Sequence, residues 1–298
     1  MSHSATGPIR PTIHRFTWGK AEIMTIMDGA QIRQPLRPPF MMDKDDAELA
    51  AIAAAARLPH DMFENTYVPT VVNTGSEVVL FDTGFGPVGR GDGPTQRAGL
   101  LRERLGLAGY APEDIDVVAF THMHPDHILG VMEGDDLAFP NARHVIGQVE
   151  FDEWMSGANI PEQRAQNREM FLRLIAPLAD RLTYVKGGDA IASGIVAEEA
   201  FGHSLGHMMY RVDSDGRDAL IWGDVTNHYA FSLPHPDSPV GFDDDKEQAK
   251  ATRKRVLDMV ATDQTLVVGH HMPFPSVGYV ERTSDSYRWA PAAYQLWT

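Results

Sequence analysis

Thr121-His122-Met123-His124-Pro125-Asp126-His127 follows directly on the apolar run Val117-Val118-Ala119-Phe120. Three imidazoles and one carboxylate are crowded together there, divided by a proline. If the extended run continues through His124, the two-residue period of a strand puts His122 and His124 on one side. Pro125 then breaks the run and turns Asp126 and His127 onto another vector. Four ligands split two and two suit two adjacent metal ions better than one. Imidazole and carboxylate without thiolate suit zinc, manganese, iron or cobalt. Solvated loop histidines are the plainer alternative, but the density of an uncommon residue beside an aspartate favours ligands.

The rest of the chain narrows the class. Among 298 residues, 41 are acidic and 26 basic, a formal charge of −15, which argues against nucleic acid or an anionic membrane surface as main partner. Hydrophobic content of 43% is that of a globular protein. The absence of cysteine removes disulfides, thiolate nucleophiles and every cysteine-containing zinc site. No apolar stretch is long enough to span a bilayer, and the polar start, residues 1–8, lacks the apolar core of a signal peptide. A soluble cytoplasmic protein is therefore expected.

Short β-branched runs at 22–27, 78–81, 117–121, 144–146, 195–201, 219–222 and 266–268 read as strands. Helices are predicted over 45–58, 95–105, 161–175 and 245–260, with Pro59 and Pro177 closing the first and third. In the last, Ala249, Thr252, Val256 and Met259 define the expected buried face. The alanine-rich stretch 50–56 reads as a helix packed closely on a neighbour. Strands and helices alternate without repeat or linker, so the class is α/β. One domain is expected over 1–298, with an N-terminal arm at 1–20 and a C-terminal extension at 283–298.

His122-x-His124-x-Asp126-His127 resembles the signature of the metallo-β-lactamase superfamily, and further motifs follow in order. These are Asp82-Thr83-Gly84, Gly202-His203-Ser204-Leu205-Gly206-His207, Trp222-Gly223-Asp224, and His271-Met272-Pro273-Phe274-Pro275 with Gly278. Within that superfamily the stretch from Trp222 to Pro236, then Asp243, Asp245 and Phe274-Pro275, is similar to the group holding methyl parathion hydrolase and related quorum-quenching N-acyl homoserine lactonases. The resemblance implies a four-layer αββα sandwich of two similar halves. It implies one divalent ion, zinc by preference, held by His122, His124 and His203. A second would be held by Asp126, His127 and His271, with Asp224 bridging and a bridging hydroxide as nucleophile. Asp82 would accept the second N–H of a ligand histidine. His207 reads as a packing residue, and the Phe-Pro spacing selects His271 over His270.

The implied reaction is ring opening of a lactone of N-acyl homoserine type, with Asp126 or Asp224 passing a proton to the leaving alkoxide. The polar start tilts the reading towards lactonases, because secreted phosphotriesterases of the group begin with an export signal. Hydrolysis of organophosphate triesters or aryl esters is the alternative. A mono-iron sulfur dioxygenase is the alternative from another class. Where several lactonases carry a tyrosine, three residues after the bridging aspartate, this chain has Asn227, so His228 or Tyr229 is expected to donate to the oxyanion. Phe40, Met42, Phe63, Phe231 and Phe274 are expected to wall an apolar pocket, and relatives suggest a homodimer.

Overall fold

The computed structural model describes residues 10–90 and 98–294. Alternation of side chains builds its layers. In the strand Val78–Phe81, Val79 and Phe81 face one way and Leu80 the other. In Val117–Ala119, Val118 is the odd one out, and in Arg217–Ile221 it is Leu220. Because both sets are apolar, each strand must be covered on both faces.

Two seven-stranded sheets result. The first runs, in spatial order, Ile13–Trp18, Ala21–Ile26, Thr70–Asn73, Val78–Phe81, Val117–Ala119, Arg143–Gly147 and Leu182–Val185. The second runs Ala190–Ala192, Ile195–Glu199, Met208–Ser214, Arg217–Ile221, Leu266–Val268, Val277–Arg282 and Tyr287–Pro291. Between them lies a core including Phe81, Ala119, Met208, Tyr210 and Ile221. Outside the first sheet, Leu80, Val118 and Ile146 pack on the helices Leu101–Leu107, Gln148–Ser156 and Ala165–Leu174 through Leu105, Trp154 and Phe171. Outside the second, Leu220 and Val267 pack on Lys246–Asp263 through Val256, Leu257 and Val260. The layers are α, β, β, α.

Several expectations are corrected. Residues 10–20 are no arm, because Ile13–Trp18 pairs with Ala21–Ile26 as an edge strand. Residues 283–294 are no extension, because Tyr287–Pro291 forms the far edge of the second sheet. The rest of both segments, 1–9 and 295–298, lies outside the described residues, as does 95–97 of the second predicted helix, which is seen as Leu101–Leu107. Helix Gln148–Ser156 was not anticipated. The alanine-rich helix Asp46–Ala55 buries only Leu49 and Ala53. Helix Lys246–Asp263 buries Arg253, Leu257 and Val260 beside Ala249 and Val256, while Thr252 and Met259 lie at the margin.

The strand expected to run on to His124 stops at Ala119. The Asp82 carboxylate takes the Thr121 N–H at 2.8 Å, where a neighbouring strand would have taken it. Val78–Phe81 and Val117–Ala119 are parallel, as are Arg217–Ile221 and Leu266–Val268. The loops after all four strands leave from carboxyl ends, where open α/β sheets place their ligands.

Candidate metal centre

Backbone detail fixes how these loops converge. Asp82 has φ of 62°, a left-handed value that turns its carboxylate back towards Thr121 and His127. Gly223 has φ of 56°, and a Cβ there would stand 2.6 Å from the His207 ring. Only glycine lets the chain pass so close before Asp224. The Asp224 N–H then donates to His207 Nε2 at 3.0 Å, so His207 holds the loop.

Three imidazoles meet on one side. His124 Nδ1 lies 3.0 Å from His122 Nε2 and 3.0 Å from His203 Nε2. Their outer nitrogens show which atoms carry protons. His124 Nε2 donates to Asp244 at 3.2 Å and His203 Nδ1 donates to Asp243 at 3.0 Å. The Thr121 hydroxyl donates to Asp82, so at 3.0 Å it accepts from His122 Nδ1. Neutral rings so arranged turn three lone pairs towards one another.

The other side repeats the logic with carboxylates. His127 Nδ1 donates to Asp82 at 2.8 Å, and His271 Nδ1 donates to the Thr66 carbonyl at 2.6 Å. Their Nε2 atoms face Asp126 at 3.7 and 3.4 Å. Asp224 lies between the halves, 2.9 Å from His271, 3.2 Å from His203 and 3.5 Å from His127. Apart from the Asn227 amide on Asp224, lone pairs and carboxylates converge here without donors, a repulsive arrangement unless cations stand among them, so the residues fit a two-ion centre.

The electrostatics point the same way. Burial drives His122 well below the ordinary histidine value. Burial, aided by Arg164, takes His124 down to about 4. Burial also opposes charge on His203, but Asp224 and Asp243 outweigh it and raise the ring to about 9. At His127 burial is outweighed by Asp82, Asp224 and Asp126, which hold it well above the usual range. Burial opposes charge on Asp224 too, yet His271, His127 and His203 hold it well below. Cations would replace the protons that these carboxylates otherwise recruit.

His270, also buried, comes within reach of Asp126, His127 and His271, and its ring lies tilted against that of His127 with centroids 4.1 Å apart. Asn227 donates to Asp224 at 3.0 Å. Asp243, Asp244 and the arginines behind them had no sequence assignment. Arg253 donates to Asp243 at 2.7 Å and Arg164 to Asp244 at 2.6 Å.

Two cavities adjoin the cluster and share His271. One, of about 270 Å³, has a mixed wall, with Arg33, Asn65, Arg164 and Asn227 facing Phe85 and Phe242. The other, of about 330 Å³, is lined by Ile32, Leu58, Met62, Phe63, His228 and Tyr229. Of the five apolar residues predicted, only Phe63 lines it. Phe40 and Phe231 are fully buried behind it with Leu36, Leu49 and Val240, because the loop 34–42 folds inward on the helix Asp46–Ala55. Met42 is 56% exposed, and Phe274 lies outside both walls.

A family model described as metallo-beta-lactamase superfamily matches residues 65–271. A curated N-acyl homoserine lactonase from Bacillus cereus is 26% identical over 171 residues, 56% of this chain and 60% of that relative. Among solved structures, AidC, a dizinc quorum-quenching lactonase in complex with a product, superposes with a TM-score of 0.87 at 24% identity, over 95% of this chain and 98% of that one. The hydrolase AbOPH of the beta lactamase superfamily also gives 0.87, at 23% identity, over 97% and 100%. At such identities the structural likenesses carry the fold. Since the family model covers more than half of its length, this chain belongs to the metallo-beta-lactamase superfamily.

Proposed function

We propose that this protein is a dinuclear metal-dependent hydrolase that opens lactone rings of the N-acyl homoserine type, with zinc as its metal. The observation that carries the reading is the meeting at His271 of a cavity of mixed polarity, bearing Arg33, Asn65 and Arg164, with a largely apolar one. A compact polar head joined to a hydrocarbon chain matches that pair of chambers. The Bacillus cereus relative, an N-acyl homoserine lactonase, supports the substrate class.

His122, His124 and His203 would hold one ion, Asp126, His127 and His271 the other, and Asp224 both. When bound, such ions supply Lewis acidity and bring the pKa of water down to about 7. The chain's own groups do the rest. His228 Nδ1 accepts the N–H groups of Ala230 and Phe231 at 3.1 and 3.2 Å, which fixes the ring proton on Nε2. Burial keeps this ring neutral, down to about 3, so it is a constant donor for an oxyanion. Tyr229 stacks on it at 4.9 Å and stiffens the wall. Asp126 is 17% exposed where Asp224 is 3%, so Asp126 is the carboxylate with access to a leaving alkoxide. In a mono-iron dioxygenase, His127 and His271 would face Asp126 with no ion to hold.

The test is metal analysis of the pure protein together with proton release from acyl lactones and from methyl paraoxon-type triesters. Two ions per chain and turnover of acyl lactones are expected. Turnover of triesters alone would move the assignment to phosphotriester hydrolysis. One iron without hydrolysis would overturn the reading in favour of the dioxygenase.

A further inference from the structure

Glu150 is a fully buried carboxylate outside the ligand set, and four donors meet it. Its Oε1 accepts the Met123 N–H at 2.8 Å, the Trp154 indole N–H at 2.8 Å and the Ser204 hydroxyl at 2.6 Å. Its Oε2 accepts the Gly206 N–H at 2.8 Å. Met123 stands between His122 and His124, and Ser204 directly follows His203. One side chain therefore ties together the two loops that present the three facing imidazoles.

The surrounding packing leaves little other way to set that spacing. A Cβ on Gly206 would lie 2.1 Å from the Glu150 backbone nitrogen, so this loop rests directly on the helix Gln148–Ser156. The helix itself starts where the strand Arg143–Gly147 ends, parallel to Val117–Ala119. Glu150 falls in its first turn, where a negative charge is favoured by the helix dipole. Every partner is a donor, so the network is complete only while Glu150 is an anion.

We infer that Glu150 is the positioning residue for the three-imidazole half of the centre: its carboxylate sets the separation of His122, His124 and His203 and thereby the metal affinity of that half alone. The inference rests on the metal-centre reading and is independent of which ester is hydrolysed. Glu150→Gln keeps shape and one acceptor, but its amide N–H groups meet the donor from Gly206. Outer groups that orient metal ligands are worth 10- to 100-fold in metal affinity.

The experiment loads the protein with Co(II) or Zn(II) and measures stepwise affinities by chelator competition, with the Co(II) visible spectrum and the melting temperature alongside. For Glu150→Gln, a 10- to 100-fold loss at one of two ions is expected, with an altered band for that ion and the other unchanged. Equal weakening of both ions together with a lower melting temperature would reduce Glu150 to a structural part and overturn the inference. So would two unchanged affinities. If Glu150→Gln does not fold, Ser204→Ala carries the test, since it removes one bond and leaves the charge in place. A severalfold loss at one ion supports positioning, and none refutes it. Wild-type protein that binds neither ion would instead sink the metal-centre reading itself.

Discussion

Behind His124 and His203 stand Asp244 and Asp243, and behind those stand Arg164 and Arg253. Behind His127 and His271 stand Asp82 and the Thr66 carbonyl, and among the described residues Asp82 has no arginine partner. The inner sides differ in the opposite sense. The first half offers three rings, whereas the second sets the Asp126 carboxylate beside its own. Beyond the Asp224 carboxylate that both would share, an ion in the first half would draw compensating charge from Asp243 and Asp244, screened by arginines, and an ion in the second from the Asp126 carboxylate. Equal ions would be held for different reasons.

Removing what the halves share tests the comparison most severely. Asp224→Ala should lose both ions and at least a hundredfold in rate, because it takes a carboxylate from each side at once. His124→Ala should cost as much in rate while sparing the second ion. Metal analysis beside proton-release assays checks both. Wild-type rates in His124→Ala would end the assignment.

The outer carboxylates separate the halves. Asp243→Asn should weaken the ion held by His203 by 10- to 100-fold, and Asp82→Asn should weaken the ion held by His127 by a similar factor. The first change also strands a permanent charge: Arg253 is 1% exposed and would lose its carboxylate partner, at a cost of about 3–5 kcal/mol. Chelator competition and urea unfolding on the two variants should therefore agree in metal loss and disagree in stability. Equal destabilisation would show that the arginines do not distinguish the halves.

Next in size is Phe63→Ala, in the wall of the apolar cavity. A tenfold or greater loss on long-chain lactones with intact metal content is expected, since each methylene in such a pocket is worth about 1–3 kcal/mol. Phe231→Ala should behave differently. This ring is 1% exposed behind the wall, so its loss should show as about 3–5 kcal/mol of stability. An unchanged chain-length profile in Phe63→Ala would remove the apolar cavity from the substrate's path.

The residues that converge at the candidate centre were legible as a set because histidine and aspartate crowd into 122–127 and recur in ordered glycine-bearing motifs. What escaped was whatever depends on distant partners. Asp243 and Asp244 lie in a loop of prolines and aspartates, and each meets a ring 40 or 120 positions away, which no local pattern announces. Glu150 sits in a helix of mixed polarity, Gln-Val-Glu-Phe-Asp-Glu-Trp-Met-Ser, whose low hydropathy concealed it. Phe40 is expected in the pocket wall as one of several large apolar side chains, and nothing local says that its loop turns the ring inward. The layered core was legible from strand alternation, but which edge strands completed it was not.

His144 belongs to neither half and so supplies the control. It lies 4% exposed on the strand Arg143–Gly147, with Nε2 unpartnered, and burial takes it down to about 4. The ordinary value of 6.5 describes the unfolded chain, so as pH falls below 6.5 the unfolded state takes up this proton first. Stability present at neutral pH is lost progressively towards pH 4. At pH 5 the loss from this one group is on the order of 2 kcal/mol. His144→Leu should reduce the drop in urea-unfolding stability between pH 7 and pH 5 by that amount. The comparison is made in chelator, where the titrations of the centre are common to both proteins and cancel. With metal restored, both stepwise affinities should match wild type, because no atom of His144 contacts either half. A change at one ion would mean that the halves communicate through the first sheet, and the contrast between Asp82 and the Asp243–Asp244 pair would then be a property of the whole fold.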